Sequence, residues 1–243
     1  MNIAMGMATA RRVLLQLRQD PRTVVLMIVV PALLMVLLRY VFDSAAFFSG
    51  IAPALLGFFP FLMMFLVTSV TMLRERTSGT LERLMTTPAT KLSLLFGYAG
   101  AFALLAVVEV AVAVAVSVWL GMEIAGSVWW LLVVAVLDAL LGTALGLFAS
   151  AFARTEFQAL QFMPVVVLPQ LLLCGLFRPR AQMADALRWA SDVMPLSYAV
   201  SALQRVQRDT GVGSGYARDA VVIAACALAA LALGAATLRR HTR

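Results

Sequence analysis

The chain has little charge for its length. Only 13% of its 243 residues are charged, whereas 63% are hydrophobic and the mean hydropathy is +0.95. A soluble domain of this size covers its surface with about 25% charged residues. The surplus of apolar surface must therefore face something other than water, and a lipid bilayer is the ordinary solution.

Histidine and cysteine are also scarce. The single histidine, His241, lies two residues from the C-terminus, and Cys174 and Cys226 each lie inside an apolar run. These positions do not have the spacing of metal ligands, so the cysteines either pack in helices or form a disulfide. The sequence contains no paired carboxylates and no nucleophile constellation, which argues against an enzyme.

Lysine occurs once, at Lys91, between Thr90 and Leu92. The phosphate-binding loop of ATPases requires Gly-Lys followed by serine or threonine, because its lysine contacts the nucleotide phosphates. The chain therefore lacks an ATP-binding P-loop, and we expect it to bind no cofactor of its own.

The formal net charge is +7, carried mostly by arginine. The arginines stand in short clusters between apolar runs and do not follow one face, so nucleic-acid binding is a poor interpretation. Such clusters are typical of the loops on the cytoplasmic side of a membrane protein. The chain thus points to a lipid-embedded protein, not to one that binds DNA or RNA.

Six apolar runs are long enough to cross a bilayer, given about 20 residues for each helical span. They are residues 23–41, 51–73, 92–120, 128–152, 157–177 and 220–238. No alternation typical of strands competes with them. The sequence therefore predicts an all-α integral membrane protein with six transmembrane helices, forming one transmembrane domain over residues 1–243.

Two segments outside these runs have helical patterns. In residues 1–21, Val13, Leu14 and Leu17 share one helical face ahead of Pro21, which predicts an amphipathic interfacial helix or a basic flank that anchors the first span. Residues 178–219 contain two short apolar patterns, at 183–189 and 197–206, that cannot span a bilayer. They predict a pair of short re-entrant helices between spans five and six.

Orientation follows from the basic residues of the flanks. Both termini and the loop at residues 74–91 carry clusters of basic residues on one side of a six-span protein: Arg11, Arg12, Arg18, Arg22, Arg74, Arg76, Arg83, Lys91, Arg239, Arg240 and Arg243. We therefore expect both termini to be cytoplasmic, in the inner (plasma) membrane. Residues 178–219 would be external although they carry six arginines, but that loop is long and contains interspersed acids.

The loop between spans two and three has the strongest pattern for a partner site. Gly79 is predicted to break the helix, and Thr87-Pro88 to end the short helix after it. Between them Leu81 and Leu84 share one side, next to Glu82 and Arg83. A short helix with an apolar face and charged flanks suits a groove on a partner protein. The alternative is a solvated basic loop that only sets topology.

Two motifs resemble those of a known family. Residues 79–82, Gly-Thr-Leu-Glu, followed by Thr-Pro at 87–88, resemble the coupling loop of ABC-2 type transporter permeases. Residues 168–179 and 194–198, Met-Pro-Leu-Ser-Tyr, are similar to later segments of the same family. The resemblance covers nearly the whole chain in order.

The resemblance implies a division of labour. Two permease subunits, identical or homologous, form a pathway, and two cytoplasmic ABC ATPase subunits bind ATP and magnesium. Alternating access then exports an amphipathic or hydrophobic substrate such as a drug. The residues implied in ATPase coupling are Glu75, Arg76, Gly79, Thr80, Leu81, Glu82, Arg83, Leu84, Thr87 and Pro88.

Candidate residues for the translocation path come from two sources. Glu109 and Asp138 lie within spans three and four, where a charged side chain costs at least about 2.5–3.5 kcal/mol unless it faces protein or water. They predict either polar points in the path or a structural role, as an interhelical hydrogen bond or an uncharged acid. The alternative function is a proton-coupled secondary transporter that uses these two acids.

The resemblance also implies that spans two and five line the centre of a dimer. Possible substrate contacts are therefore Phe58, Phe61, Phe65, Gln161 and Phe162, although packing is the alternative role for the aromatic rings. The small residues from Gly142 to Gly146 predict a close contact between the fourth span and another helix.

Overall fold

A computed structural model of the chain describes residues 3–80, 91–211 and 213–237. Its α-helices are α1 Ile3–Gln19, α2 Pro21–Val41, α3 Ala45–Thr77, α4 Lys91–Trp119, α5 Val128–Ala149, α6 Glu156–Leu173, α7 Asp185–Val193, α8 Pro195–Arg208 and α9 Ser214–Thr237. A short 3-10 helix, Arg180–Gln182, precedes α7. Over these ranges no strand occurs, which confirms the all-α prediction.

Six of the helices are long and apolar enough to cross a membrane, namely α2 to α6 and α9. In α3, 72% of the most apolar stretch is buried, compared with 17% in α2 and in α6. The bundle therefore surrounds α3, while α2 and α6 direct apolar side chains outward. Those outward side chains need an apolar environment. The prediction of six helices that are long and apolar enough to cross a membrane is confirmed.

Several helix boundaries differ from the predicted runs, and two of them have a clear local reason. Helix α3 begins at Ala45, six residues before the predicted run, because the Ser44 hydroxyl caps it by accepting a hydrogen bond from the Phe47 amide at 3.2 Å. Helix α6 ends at Leu173, four residues early, and Gly175 follows with a φ of +97°. A left-handed glycine after the last turn is a common helix stop.

A close helix contact in the bundle joins α3 and α5. A Cβ atom on Gly142 would overlap the Phe61 carbonyl oxygen, and one on Gly146 would lie 2.5 Å from the Phe65 carbonyl oxygen. The Thr68 hydroxyl also reaches across to the Thr143 carbonyl at 3.3 Å. The predicted close contact of the small residues on α5 is thus confirmed, and its partner is α3.

The bundle has two ends. We call basal the end that carries the starts of α2 and α6 and the ends of α3 and α5, and distal the opposite end. At the basal end the Arg76 guanidinium donates to the Ser150 carbonyl at 3.4 Å. At the distal end the Gln207 side chain donates to the Ser49 hydroxyl at 3.2 Å.

The distal end holds the two short helices between spans five and six. Helix α8 buries Leu196, Val200 and Leu203 against its neighbours α3, α5 and α9. The Ser191 hydroxyl of α7 donates to the Leu173 carbonyl of α6 at 2.8 Å. The predicted pair of short helices is therefore present, whereas its depth in a membrane stays a prediction.

Candidate functional site

The root of the predicted coupling loop lies at the basal end of α3. The helix ends at Thr77, Ser78 caps it, and Gly79 has a φ of +72°, which side chains rarely adopt. The chain therefore leaves the helix at Gly79, where the sequence predicted a break. Of the predicted coupling residues, Glu75, Arg76, Gly79 and Thr80 are described, and Leu81, Glu82, Arg83, Leu84, Thr87 and Pro88 lie outside the described residues.

Glu75 is the centre of a polar network at this root. Its side chain is 5% exposed, and one carboxylate oxygen accepts a hydrogen bond from the Arg12 guanidinium at 3.1 Å. The other oxygen accepts from the Gln16 amide at 3.1 Å. Arg12 also donates to the Tyr98 hydroxyl, with its guanidinium 5.8 Å from the centre of that ring. Helices α1, α3 and α4 are therefore joined by charged and polar contacts within one turn of the coupling loop.

Helix α1 lies against α4 and is held there by packing as well as by charge. Val13 is fully buried and Leu17 is 9% exposed, so two residues of the predicted apolar face pack into the bundle. A position of this helix at the membrane interface stays a prediction. A Cβ atom on Gly97 would lie 2.7 Å from the Gly6 carbonyl oxygen, so only glycine allows this approach. The α1 helix is thus part of the bundle, not a loose anchor beside it.

A second, weaker link joins the end of α3 to α6. The Arg74 guanidinium forms two hydrogen bonds with the Glu156 carboxylate, at 2.7 and 3.1 Å. Both side chains are more than half exposed, and exposed ion pairs contribute about 0–1 kcal/mol. The buried contacts of Glu75 are therefore the stronger connection at the root of the loop.

Beside this root lies a cavity of about 510 Å³. Its walls come from α1, the start of α2, the second half of α3 and Leu160 of α6. Apolar side chains such as Val67 and Val70 line one part, and Asp20, Thr71 and Arg74 line another. The cavity thus combines an apolar wall with a charged rim at the basal end.

The two acids predicted within spans are fully enclosed. Glu109 is 1% exposed and Asp138 is 0% exposed, and none of their four carboxylate oxygens has a hydrogen-bond partner among the described residues. A Cβ atom on Gly57 would lie 3.6 Å from an Asp138 oxygen, which places that carboxyl between α3 and α5. The structure does not join the two acids to each other or to the network at Glu75.

The predicted aromatic contacts divide between the core and the outside. Phe58 is 8% exposed, and Phe61 and Phe65 are fully buried in the single chain. Phe162 is half-buried and packs near Leu73, Ala153 and Ala159, while Gln161 is exposed. These five side chains therefore do not share one surface of the chain, and the three rings on α3 are packed inside it. Their role as substrate contacts stays a prediction.

Sequence reasoning identified Glu75 but missed its partners Arg12, Gln16 and Tyr98. A weak signal was available in α1, where Arg12 and Gln16 are four residues apart and therefore share a helical face. Tyr98 provided a second sequence signal, because a hydroxyl group within an apolar run needs a hydrogen-bond partner.

The described helices define a multi-pass membrane protein with a polar joint at one end. Residues 6–207 match the family described as ABC-2 type transporter. The chain belongs to this family, and the matched residues form its membrane-spanning part.

Individual relatives agree with this assignment. The chain is 26% identical over 174 residues to ABC transporter G family member 20 of Dictyostelium discoideum, covering 71% of this chain and 24% of that protein. It is 29% identical over 169 residues to the probable multidrug ABC transporter permease YbhS of Escherichia coli strain K12, covering 68% of this chain and 45% of that protein. For the probable multidrug permease YbhR of the same strain the identity is 26% over 149 residues, covering 61% and 40%. The chain thus spans less than half the length of these relatives.

Proposed function

We propose that this permease exports an amphipathic or hydrophobic substrate, such as a drug, by alternating between inward and outward openings. The energy comes from two ABC ATPase subunits, which bind ATP and magnesium on separate chains. ATP moves the permease only through its different affinity for the two states of the complex. The names of two bacterial relatives include multidrug transport, which supports a drug-like substrate.

The observation that carries this proposal is the network around Glu75. A displacement of the coupling loop would move the last turns of α3. The ion pair between Glu75 and Arg12 would transmit this displacement to α1. Contact with Tyr98 extends the same connection to α4. One loop can therefore move three helices together, as a permease driven from outside its own chain requires.

The same proposal includes orientation and stoichiometry. The basal end faces the cytoplasm, because the loop at residues 74–91 must reach a cytoplasmic ATPase, and the protein lies in the inner (plasma) membrane with both termini inside. A second permease subunit, identical or homologous, completes the pathway. The outward apolar sides of α2 and α6 leave room for that subunit or for lipid.

A first prediction tests the ATPase contact. Replacing Leu81, Glu82 and Leu84 together with serine should abolish copurification of the ATPase, because the apolar anchors and the charged contact are lost together. The measurement is the yield of ATPase retained on affinity-tagged permease in detergent.

The matched control is a triple serine variant of Asp185, Leu187 and Trp189. These exposed residues on α7 have a similar character but lie at the distal end. We expect that variant to retain the ATPase. Equal retention by both triple variants would contradict the proposal, as would labelling of a cysteine at Ser78 by a membrane-impermeant reagent added outside.

A second prediction separates ATP-driven export from proton coupling. Glu109→Gln and Asp138→Asn remove the two buried acids with little change in size, so ATP-dependent efflux from proteoliposomes should continue within about threefold of wild type, the effect of a change below 1 kcal/mol. A proton-coupled transporter that used these acids would lose transport in both variants and would need no ATPase. Efflux should be measured with and without an imposed proton gradient.

A further inference from the structure

The basal cavity has the size and lining of a small-molecule site. Its volume of about 510 Å³ lies within the range of about 300–1,000 Å³ that is common for such sites. Leu17 of α1, Val67 and Val70 of α3 and Leu160 of α6 supply apolar surface from three helices. Polar and charged side chains supply the rest of the lining, so a ligand with one apolar part and one polar part would match it.

The charges on the lining decide the sign of that polar part. Three charged residues contribute, and two of them are neutralised locally, Glu75 by Arg12 at 3.1 Å and Arg74 by Glu156 at 2.7 Å. Within the described ranges, Asp20 has no ion-pair partner. Its carboxylate accepts hydrogen bonds from the Thr23 hydroxyl at 2.6 Å and the Thr23 amide at 3.3 Å.

Among the described residues, Asp20 is therefore the charged residue of the lining that no ion pair neutralises. The Thr23 hydroxyl, followed by the Thr23 amide, lowers the pKa of the Asp20 carboxyl, and the charges of Arg74 and Arg22 act in the same direction from beyond ion-pair distance. Since the two hydrogen bonds come from a helix cap, they hold the carboxylate in place at the start of α2.

We propose that this cavity binds a lipophilic cation at the basal membrane surface. The apolar body of the ligand packs between Leu17, Val70 and Leu160, and its positive group pairs with Asp20. An anionic ligand would meet the carboxylate of Asp20, while Arg74 is already engaged by Glu156. Under the proposed function, on which this role rests, the cavity is where an amphipathic cation loads before export.

The test uses the full-length chain in nanodiscs of zwitterionic phosphatidylcholine, without ATP, and tritiated tetraphenylphosphonium as the probe. Asp20→Asn removes the charge but keeps a side-chain oxygen for Thr23, and asparagine caps helices as well as aspartate does. We expect the dissociation constant of the probe to rise about five- to tenfold, the loss of one partly screened ion pair. Val70→Trp narrows the cavity and should weaken binding at least as much.

Two controls identify the cause of these changes. Asp43→Asn removes the same charge from an exposed loop at the distal end and should bind the probe like wild type. A neutral tetraphenyl analogue should bind wild type and Asp20→Asn alike but lose affinity with Val70→Trp. If Val70→Trp does not purify as a monodisperse protein, Leu160→Trp at the half-exposed α6 wall replaces it.

The result that overturns the inference is equal binding of the cation by wild type, Asp20→Asn and the tryptophan variants. This includes the case in which the cavity is filled by lipid or covered by a second permease subunit. A different result would show that the proposed function is wrong. In that case the ATPase would not copurify and ATP-driven efflux would be absent, while the cation would still bind at Asp20.

Discussion

Gly146→Leu should prevent the chain from folding into a stable bundle. A Cβ atom at this position would meet the Phe65 carbonyl oxygen at 2.5 Å and the Phe65 Cα at 3.1 Å, and it would overlap the Thr68 hydroxyl. Two of these three atoms belong to the backbone of α3, so no rotamer change can relieve the clash. The helices would have to separate, and membrane helices associate chiefly through such close packing.

The expected loss is the whole folded fraction, measured as the monodisperse peak in size-exclusion chromatography after detergent extraction. Gly146→Ala should give an intermediate yield, since overpacking by one methyl group costs about 1–3 kcal/mol. Gly100→Leu is the matched control, because nothing lies within 4 Å of a Cβ atom at that position on α4. A normal peak for Gly146→Leu would mean that α3 and α5 do not approach as described.

Under the proposed function, Glu75→Arg should uncouple substrate transport from ATP hydrolysis, and we expect this to be the second largest effect. The substitution places a second cation beside Arg12 in a site where Glu75 was 5% exposed. Removing one partner of a buried ion pair costs about 3–5 kcal/mol, and less here because Arg12 is partly exposed. We expect substrate transport per ATP hydrolysed to fall at least tenfold while the ATPase still copurifies, since the contact residues beyond Gly79 are unchanged.

The double variant Arg12→Glu with Glu75→Arg provides the decisive comparison. If the pair itself carries the effect, reversal of both charges should restore part of the coupling ratio, which a double-mutant cycle measures. Glu156→Arg, which reverses the exposed pair with Arg74, is the matched control and should lower the ratio only slightly. Equal losses for Glu75→Arg and Glu156→Arg would show that burial at Glu75 has no special role.

The spans were predictable because each one is a local property. A run of about 20 apolar residues must be helical in a membrane, whatever surrounds it, since its backbone has no other hydrogen-bond partners. Helix ends were harder to predict, because a single capping residue can decide them. Ser44 caps the start of α3 ahead of the predicted run, and Gly175 follows the early end of α6. The small residues Gly142 and Gly146 predicted that α5 makes a close helix contact. They did not predict that its partner is α3.

The network at Glu75 could not be derived in the same way. Arg12 and Tyr98 lie 63 and 23 positions away along the chain, and their meeting depends on how α1 docks against α4. That docking is set by the absence of a side chain at Gly97, a feature that has no pattern of its own in one sequence. The cavity beside Asp20 depends on the same docking, so it was equally invisible until the helices were assembled.

Helix α3 has 33 residues without interruption, which at 1.5 Å per residue makes a rod of about 50 Å. The hydrocarbon core of a bilayer is only about 30 Å thick, so a rod of this length protrudes from it. Pro53 and Pro60 lie within the helix, which nevertheless runs from Ala45 to Thr77, so under the proposed function it would act as a lever pivoted inside the membrane. A tilt of about 5° would displace one tip by about 4 Å relative to the other, enough to turn a small shift at the loop into a rearrangement on the opposite side.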